Sequence, residues 1–580
     1  MQKPWLKFYD PGVPPSLMPY PTHPVHEFLT NSANRIPNNS AVVTTAHVPV
    51  AGRLRADLTY RALEDQANAL AAALVAMGVK KGDRIALVLA NSAQFVIGYY
   101  AILKAGGVVC ATNPTYPAPK MAAQLKDCGA TVVIVMSLFY NLVKGIQAET
   151  DIKHVIVTNV KEYLHPLART LFTVAKEKKD GHRVERKPED HDFQSLLQQY
   201  AGQKANVAVS PSDYALFQYT GGTTGIPKAA MATHAAIVAN TLQCKVWLTT
   251  GLPGEKEVFM GAIPLFHVYG IVSVLNLSVG IGACIVMVPN PRDTKEVLEV
   301  INTYKPTIFN GVPAMYNAIN INPDVLAGKY NLRSIRACVS GSAPLPTATK
   351  RKFEELTGGK LVEGYGMSET PTAAIVNPLN GTIKEGSIGL PISDVDVRIV
   401  ELDNPTQDVQ PGDVGELLIH GPQLFSGYWN MPTETQNALR KGPDGRVWLH
   451  TGDVARMDDD GYFYIVDRKK DMAIIGGYKI YPTNVERVLA EHPAIAEVAV
   501  ASIAHPDKPG QEALKAWVMI KPGKDLTAEE LIKFAEARLA SYEVPRRIEF
   551  AREFPRTTVG KVLRRELVQS EMKAREDKPS

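Results

Sequence analysis

Short apolar runs alternate with helix-like stretches along the first quarter of the chain, and this alternation limits the fold more than any other feature. Thr59 can cap a helix running to about Met77, with Leu63, Ala67, Leu70, Ala71 and Leu74 on one face. Gly78 stops it. Arg84–Ala90 reads as an apolar strand, and Ser92 caps a second helix that ends at Gly106-Gly107. A strand at Val108–Ala111, a helix from Pro119 and a strand at Thr131–Met136 follow. Strands separated by helices of this length cannot form hairpins, so they lie parallel with crossover helices.

The rest of the chain changes texture twice. Residues 22–50 read as a first helix and a strand at Ala41–Val43. Helix and strand signals continue through Asp293–Tyr304, Ile308–Phe309 and Arg336–Val339. From about 386 to 466, short β-type runs (Val395–Val400, Gly415–His420, Tyr462–Val466) are separated by Gly, Pro and Asp, which predicts a β-rich subdomain. Beyond Asp471, strands at Val498–Ala501 and Leu514–Ile520 and a helix from Thr527 to about Ser541 suggest a small α+β unit. The last ten residues are polar and read as unstructured. The expected fold is thus multidomain α/β and α+β. Residues 1–466 read as a large N-terminal domain of two α/β subdomains plus the β-rich part, and 471–580 as a small C-terminal α+β domain. A chain of 580 residues suits roughly three or four folding units.

Two segments bear on membranes. Val258–Pro291 contains no Asp, Glu, Lys or Arg. Gly280 and Gly282 break it, so it reads as a helix near Val268–Val279 and a strand at Ala283–Val288 rather than a span. Tyr163–Asp180 can form an amphipathic helix with Leu164, Leu167, Ala168, Leu171, Phe172 and Ala175 on one side and Arg169, Lys176, Lys178 and Lys179 beside them. Such a helix either packs on its own domain or lies on an anionic membrane surface. The proline-rich first twenty residues lack the apolar core of a secretory signal. A net charge of +4 implies no nucleic-acid partner, and five scattered cysteines without zinc-ligand spacing fit a reducing, cytoplasmic setting.

The chemistry gathers around Tyr219-Thr220-Gly221-Gly222-Thr223-Thr224-Gly225-Ile226-Pro227-Lys228. Bare glycine backbone, threonine hydroxyls and one ammonium can surround a polyphosphate. The lysine follows a proline, so this is not a Walker loop. A strand at 214–219 precedes it, and the reading starts a helix from within 229–234. Taken alone, the stretch is either a phosphate cradle or a Gly/Thr-rich surface turn.

Five further patterns follow in order. They are Gly341-Ser342-Ala343-Pro344, Glu363-Gly364-Tyr365-Gly366-Met367-Ser368-Glu369, Thr451-Gly452-Asp453, Asp467-Arg468-Lys469-Lys470-Asp471, and Pro555-Arg556-Thr557-Thr558-Val559-Gly560-Lys561. With the loop, they resemble the adenylate-forming superfamily of acyl-CoA synthetases, luciferases and peptide-synthetase adenylation domains. The phrases at 218–225 and 466–472 look most like bacterial long-chain fatty acyl-CoA synthetases.

The resemblance implies a two-step ligase using ATP, Mg²⁺ and coenzyme A. A carboxylate attacks the α-phosphate of ATP to give an acyl-adenylate and pyrophosphate, and the thiol of coenzyme A then displaces AMP. Two anions must meet in the first step, so positive charge and alignment matter more than proton transfer. By the same resemblance, Lys561 supplies that charge. Thr220, Gly221, Gly222, Thr223, Thr224, Gly225 and Lys228 hold the phosphates. Glu369, with Thr220, faces Mg²⁺. Tyr365 stacks on adenine beside Gly341, Ser342, Ala343, Pro344, Glu363, Gly364, Gly366, Met367 and Ser368. Asp453 and Arg468 take the ribose. Residues 467–470 are the hinge, with Lys470 as its pivot, and the small mobile C-terminal domain 471–580 turns on it. Gly476, Gly477 and Lys479 face coenzyme A. His267 and Gly311 border the acyl pocket, together with the apolar tract behind His267 and residues 308–313.

Three positions depart from the family pattern. Ala229 stands where most relatives have glycine, Ser368 where threonine is usual, and Ile474 where many plant-type relatives carry a nucleotide-contacting lysine. An aryl- or coumarate-type ligase on the same scaffold, and a non-catalytic nucleotide- or lipid-binding relative, are the competing readings. The retained Lys561, Glu369 and Asp453 argue against the silent one. A homodimer, and peripheral contact with the inner membrane face through 163–180, stay open at this level.

Overall fold

A computed structural model of the chain describes residues 3–48, 51–220, 227–250, 256–475, 478–505, 512–557 and 562–576. The chain divides into two compact units, one of residues 5–396 and 420–441, the other of residues 1–4, 397–419 and 442–580.

The first unit is built on two sheets flanked by helices. β1 (Ser40–Val48) and β2 (Gly52–Thr59) form an antiparallel hairpin. The sequence reading missed β2 because Arg53, Arg55 and Asp57 make it polar on one side. The predicted alternation then unfolds as β3 (Arg84–Val88), β4 (Val108–Ala111), β5 (Val132–Met136), β6 (His154–Thr158), β7 (His191–Asp192), β8 (Tyr214–Thr220) and β9 (Lys228–Thr233). They form one sheet in the order β7-β6-β5-β3-β4-β8-β9, parallel except for the β8–β9 pair. The expected caps are present: Thr59 Oγ1 accepts from Ala62 N–H and Ser92 Oγ from Phe95 N–H.

The stretch at 228–233 corrects the reading of a helix starting there. It is an edge strand, and the helix begins at His234, capped by Thr233. Alanine-rich 229–232 favours a helix locally, but pairing with β8 wins. The phosphate-loop candidate therefore connects two antiparallel strands, Thr220 facing Lys228 in register.

β10 (Val258–Gly261) and β11 (Cys284–Met287) are parallel to each other, and β11 to β1. Single-residue bridges at Ile308 carry this sheet on to β12 (Ala337–Ser340), β13 (Lys360–Tyr365), β14 (Ile375–Val376) and β15 (Leu390–Pro391). The uncharged tract is a helical run over 268–281, with a π-turn at Ile271–Asn276, that ends at left-handed Gly282. Among the described residues no helix is long and apolar enough to cross a membrane.

The helix Pro166–Ala175 is shorter than the amphipathic stretch read from sequence. Its predicted apolar face divides. Leu164 and Ala168 are buried with Val48, and Phe172 packs on them, whereas Leu167, Leu171 and Val174 are exposed.

β16 (Asp396–Val400) and β17 (Val414–His420) are followed by the helix Pro432–Ala438 and β18 (Leu439–Lys441). The second unit then carries β19 (Val447–Met457), antiparallel to β17, and β20 (Phe463–Arg468), antiparallel to β19. β21 (Ala473–Ile475) and β22 (Tyr478–Ile480) form a hairpin. β23 (Ile495–Ala504), β24 (Glu512–Ile520) and β25 (Arg547–Phe550) make a three-stranded sheet. Thr527 and Glu530 form a capping box on the helix Ala528–Glu536. A helix runs from Arg564 to Glu576, so 571–576 of the last ten residues are helical rather than unstructured, and 577–580 lie outside the described residues.

Candidate active site

Two of the sequence patterns, 341–344 and 363–369, converge with His267 on one cleft in the first unit. Its lining includes His267, Tyr269, Gly341, Ser342, Gly364, Tyr365, Gly366, Met367 and Thr372. The convergence follows from register. β12 and β13 are parallel with Ser340 opposite Glu363, so the turns leaving both strands open at the same sheet end. Ala343, Pro344, Glu363 and Ser368 stand outside this lining. Gly366 has no room for a side chain, since a Cβ there would lie 1.5 Å from Thr372 O.

Tyr269, which carried no signal in the sequence, organises the cleft wall. Its hydroxyl donates to Val339 O (2.8 Å) and Gly311 O (3.2 Å), tying the tract after His267 to β12. Gly311 thus supports the wall through its carbonyl. His267 Nδ1 accepts from Tyr269 N–H (3.2 Å), and burial lowers its pKa to about 4, so the ring is neutral near pH 7. With Nδ1 engaged as acceptor, Nε2 carries the proton.

Burial raises the Glu363 carboxyl to about 8 from its ordinary 4.5. The folded state therefore holds that proton more tightly than the unfolded chain. This contribution to stability is whole below pH 4.5 and is lost as pH rises through about 8. Between about pH 5 and pH 8.5 the wild-type melting temperature is expected to fall more steeply than that of Glu363→Gln. Parallel melting curves across that range would contradict it.

Beside the cleft, the ends of the phosphate loop meet an acidic site. Lys228 forms an ion pair with Glu434 and lies 5.4 Å from the centre of the Tyr428 ring. The Tyr428 hydroxyl donates to Glu369 Oε1 (2.6 Å), and Glu369 is buried, 6% exposed. Phe425 N–H bonds to Glu369 O (2.9 Å), and Tyr428 bridges Ala230 of β9. Tyr428 and Glu434 were not singled out in the sequence. They stand 59 and 206 residues from Glu369 and Lys228, so no local pattern points to them.

Among the described residues, no cluster of three or more His, Cys, Asp or Glu could hold a metal. Glu369 offers one buried carboxylate, a hard oxygen donor of the kind that suits Mg²⁺. That ion keeps several waters and takes substrate phosphates as further ligands. Thr220 Oγ1 lies 3.4 Å from Lys228 O. Residues 221–226, including Gly221, Gly222, Thr223, Thr224 and Gly225, lie outside the described residues.

In the second unit, Asp453 and Arg468 are register partners on β19 and β20, and Arg468 Nε lies 3.1 Å from Asp453 Oδ1. Thr451-Gly452-Asp453 is thus part of an eleven-residue strand, with Gly452 at φ +70°. Lys469 is anchored to Glu416 (3.1 Å) and Leu402 O (3.0 Å), directly before Lys470. Burial lowers the Lys470 pKa. Lys479 pairs with Asp403 (2.8 Å). Gly476, Gly477, Gly560 and Lys561 lie outside the described residues, but their flanks are placed. Arg556 and Val562 are bridged, and Arg564 binds Glu486 (2.9 Å) within reach of Asp467 and Asp471. Arg564 is therefore no part of a loose basic tail.

The AMP-binding enzyme model matches residues 29–429, and the C-terminal-domain model of the same enzymes matches residues 484–561. The chain belongs to the AMP-binding enzyme family. The expected kinship with adenylate-forming acyl-CoA synthetases, and their α/β and α+β architecture, are borne out. This AMP-binding enzyme is 40% identical to a long-chain-fatty-acid–CoA ligase of Bacillus subtilis (strain 168), over 98% of each chain. It is 35% identical to one of Salmonella typhimurium, again over 98% of each. Among solved structures it resembles the anthranilate CoA ligase AuaEII in complex with anthranoyl-AMP. That match has a TM-score of 0.80 and 26% identity, and covers 96% of this chain and 98% of the other.

Proposed function

We propose that the protein is an AMP-forming long-chain fatty acid–CoA ligase, which activates a fatty acid with ATP and passes the acyl group to coenzyme A. The observation that carries this reading is the cleft, where His267, Gly341 and Tyr365 line one space next to the Lys228–Tyr428–Glu369 cluster. A nucleotide base fits against Tyr365 and the bare backbone of Gly364 and Gly366. Thr220 and Lys228, with the loop between them, face the phosphates. Glu369 would hold Mg²⁺, which would supply charge neutralisation at the phosphates.

Neutral His267 stands between this cleft and the apolar tract behind it. It can admit the acyl carboxylate without fixing it as an ion pair. Lys561 stabilises the charge that develops on carboxylate and phosphate during attack. Asp453, with Arg468, holds the ribose through its two oxygens. Lys470 is the pivot between the half-reactions, and Gly476, Gly477 and Lys479 receive the pantetheine arm. A panel of alkyl and aryl carboxylates, assayed for AMP release with and without coenzyme A, tests the reading. Long saturated acids should be preferred and thioester should form only with coenzyme A. A preference for aryl acids would favour a coumarate-type ligase, and no turnover would favour a silent relative.

The helix Pro166–Ala175 suits peripheral contact with an anionic membrane face. Leu167, Leu171 and Val174 are 47%, 43% and 83% exposed, one helical turn apart, with Arg169, Lys176, Lys178 and Lys179 around them. Sedimentation with anionic liposomes should fall when all three become serine, and fall with added salt. Unchanged partitioning would remove the membrane role. Whether the enzyme pairs into a homodimer is settled by its mass in solution.

A further inference from the structure

Behind the cleft lies a second, smaller apolar space. Tyr269, Val339, Thr372, Ala373 and Val376 line both spaces, so the two chambers adjoin through a shared wall. The remaining surface of the second chamber comes mainly from Cys244, Trp247 and Leu248 of the helix His234–Thr249, and from Ile392. None of its lining residues is charged, and the Ser273 hydroxyl is spent on Tyr269 O (2.6 Å). An apolar space adjoining a site that handles a carboxylate is matched to the alkyl part of that substrate.

Trp247 is the bulkiest group on this wall and the most firmly held. It is 3% exposed, and its indole N–H donates to Asn377 O (3.1 Å). The Tyr9 ring meets it edge-on with centroids 4.8 Å apart, and Tyr9 is itself tied to Pro391 O (2.5 Å). A wall braced in this way cannot swing aside for a longer chain. We propose that Trp247 is a specificity-determining residue that sets the longest acyl chain the pocket accepts. This rests on the fatty acid–CoA ligase reading above. Cys244 stands one helical turn before Trp247 on the same wall, so enlarging it should act in the opposite sense.

The test is kcat/KM for AMP formation over saturated fatty acids of increasing length, measured on the wild type, Trp247→Ala and Cys244→Phe. One methylene in an apolar pocket is worth about tenfold or more in discrimination. In Trp247→Ala the long-to-short ratio should therefore rise at least about tenfold, mainly through KM for the long acids. In Cys244→Phe it should fall by a similar factor, with short acids retained. Should Trp247→Ala fail to fold, the Cys244→Phe profile decides. A wild-type chain-length order in variants that melt like the wild type would overturn the inference while leaving the ligase reading intact. A wild type that activates no alkyl carboxylate would overturn both.

Discussion

Lys561→Ala is expected to lower fatty-acid-dependent ATP–pyrophosphate exchange by about 10²–10³-fold, the usual loss when one preorganised stabiliser of a charged transition state is removed. Conversion of supplied acyl-adenylate and coenzyme A to thioester should survive. The asymmetry follows from charge. In the first half-reaction a carboxylate meets a triphosphate, and a cation lowers the barrier by serving both. In the second, a thiol attacks a mixed anhydride and AMP leaves, with no second anion to neutralise. The chain that follows Lys561 is anchored. Leu563 N–H bonds to Pro555 O (2.8 Å), and Arg564 is fixed to Glu486 and Thr483. Lys470→Pro should give the converse, sparing pyrophosphate exchange and stopping thioester formation, because proline restricts the pivot. Equal loss of both half-reactions in Lys561→Ala would contradict its role, and a normal overall rate in Lys470→Pro would contradict the hinge.

The second large effect is expected at Glu369. Glu369→Gln keeps shape but removes the buried charge proposed to hold Mg²⁺. Lewis-acid stabilisation is worth several kcal/mol, so the rate should drop by about 10²-fold or more. Tyr428→Phe isolates the supporting role. The phenol only orients the carboxylate, so its loss should raise the Mg²⁺ concentration for half-maximal rate by about 10–100-fold. The rate at saturating Mg²⁺ should largely return. A Mg²⁺ titration of both variants checks this. If Tyr428→Phe lost rate without any shift in Mg²⁺ dependence, the hydroxyl would have some other task.

Local signals in the sequence proved dependable where the physics is local. Thr59, Ser92 and Thr527 cap helices through bonds to residues three positions on, so the chain near them carries the whole instruction. The alternation over 59–136 delivered the parallel sheet because crossover length leaves no other pairing. Failures came where distant partners decide. Lys228–Thr233 has helix-forming alanines but becomes a strand against β8 and Tyr428. In the site, the motif residues Gly341, Ser342, Gly364, Tyr365 and His267 were legible and share one cleft. Tyr269, Tyr428, Glu434 and Trp247 were not, since their meaning comes from long-range partners that only the fold supplies.

The central claim is that an acyl carboxylate attacks the α-phosphate of ATP in this protein. The most direct measurement uses a fatty acid labelled with ¹⁸O in both carboxyl oxygens, with ATP, Mg²⁺ and coenzyme A, and mass spectrometry of the nucleotide product. Attack at the α-phosphate leaves one labelled oxygen in AMP and none in pyrophosphate. Unlabelled AMP, or label appearing in inorganic phosphate alongside ADP, would contradict the account.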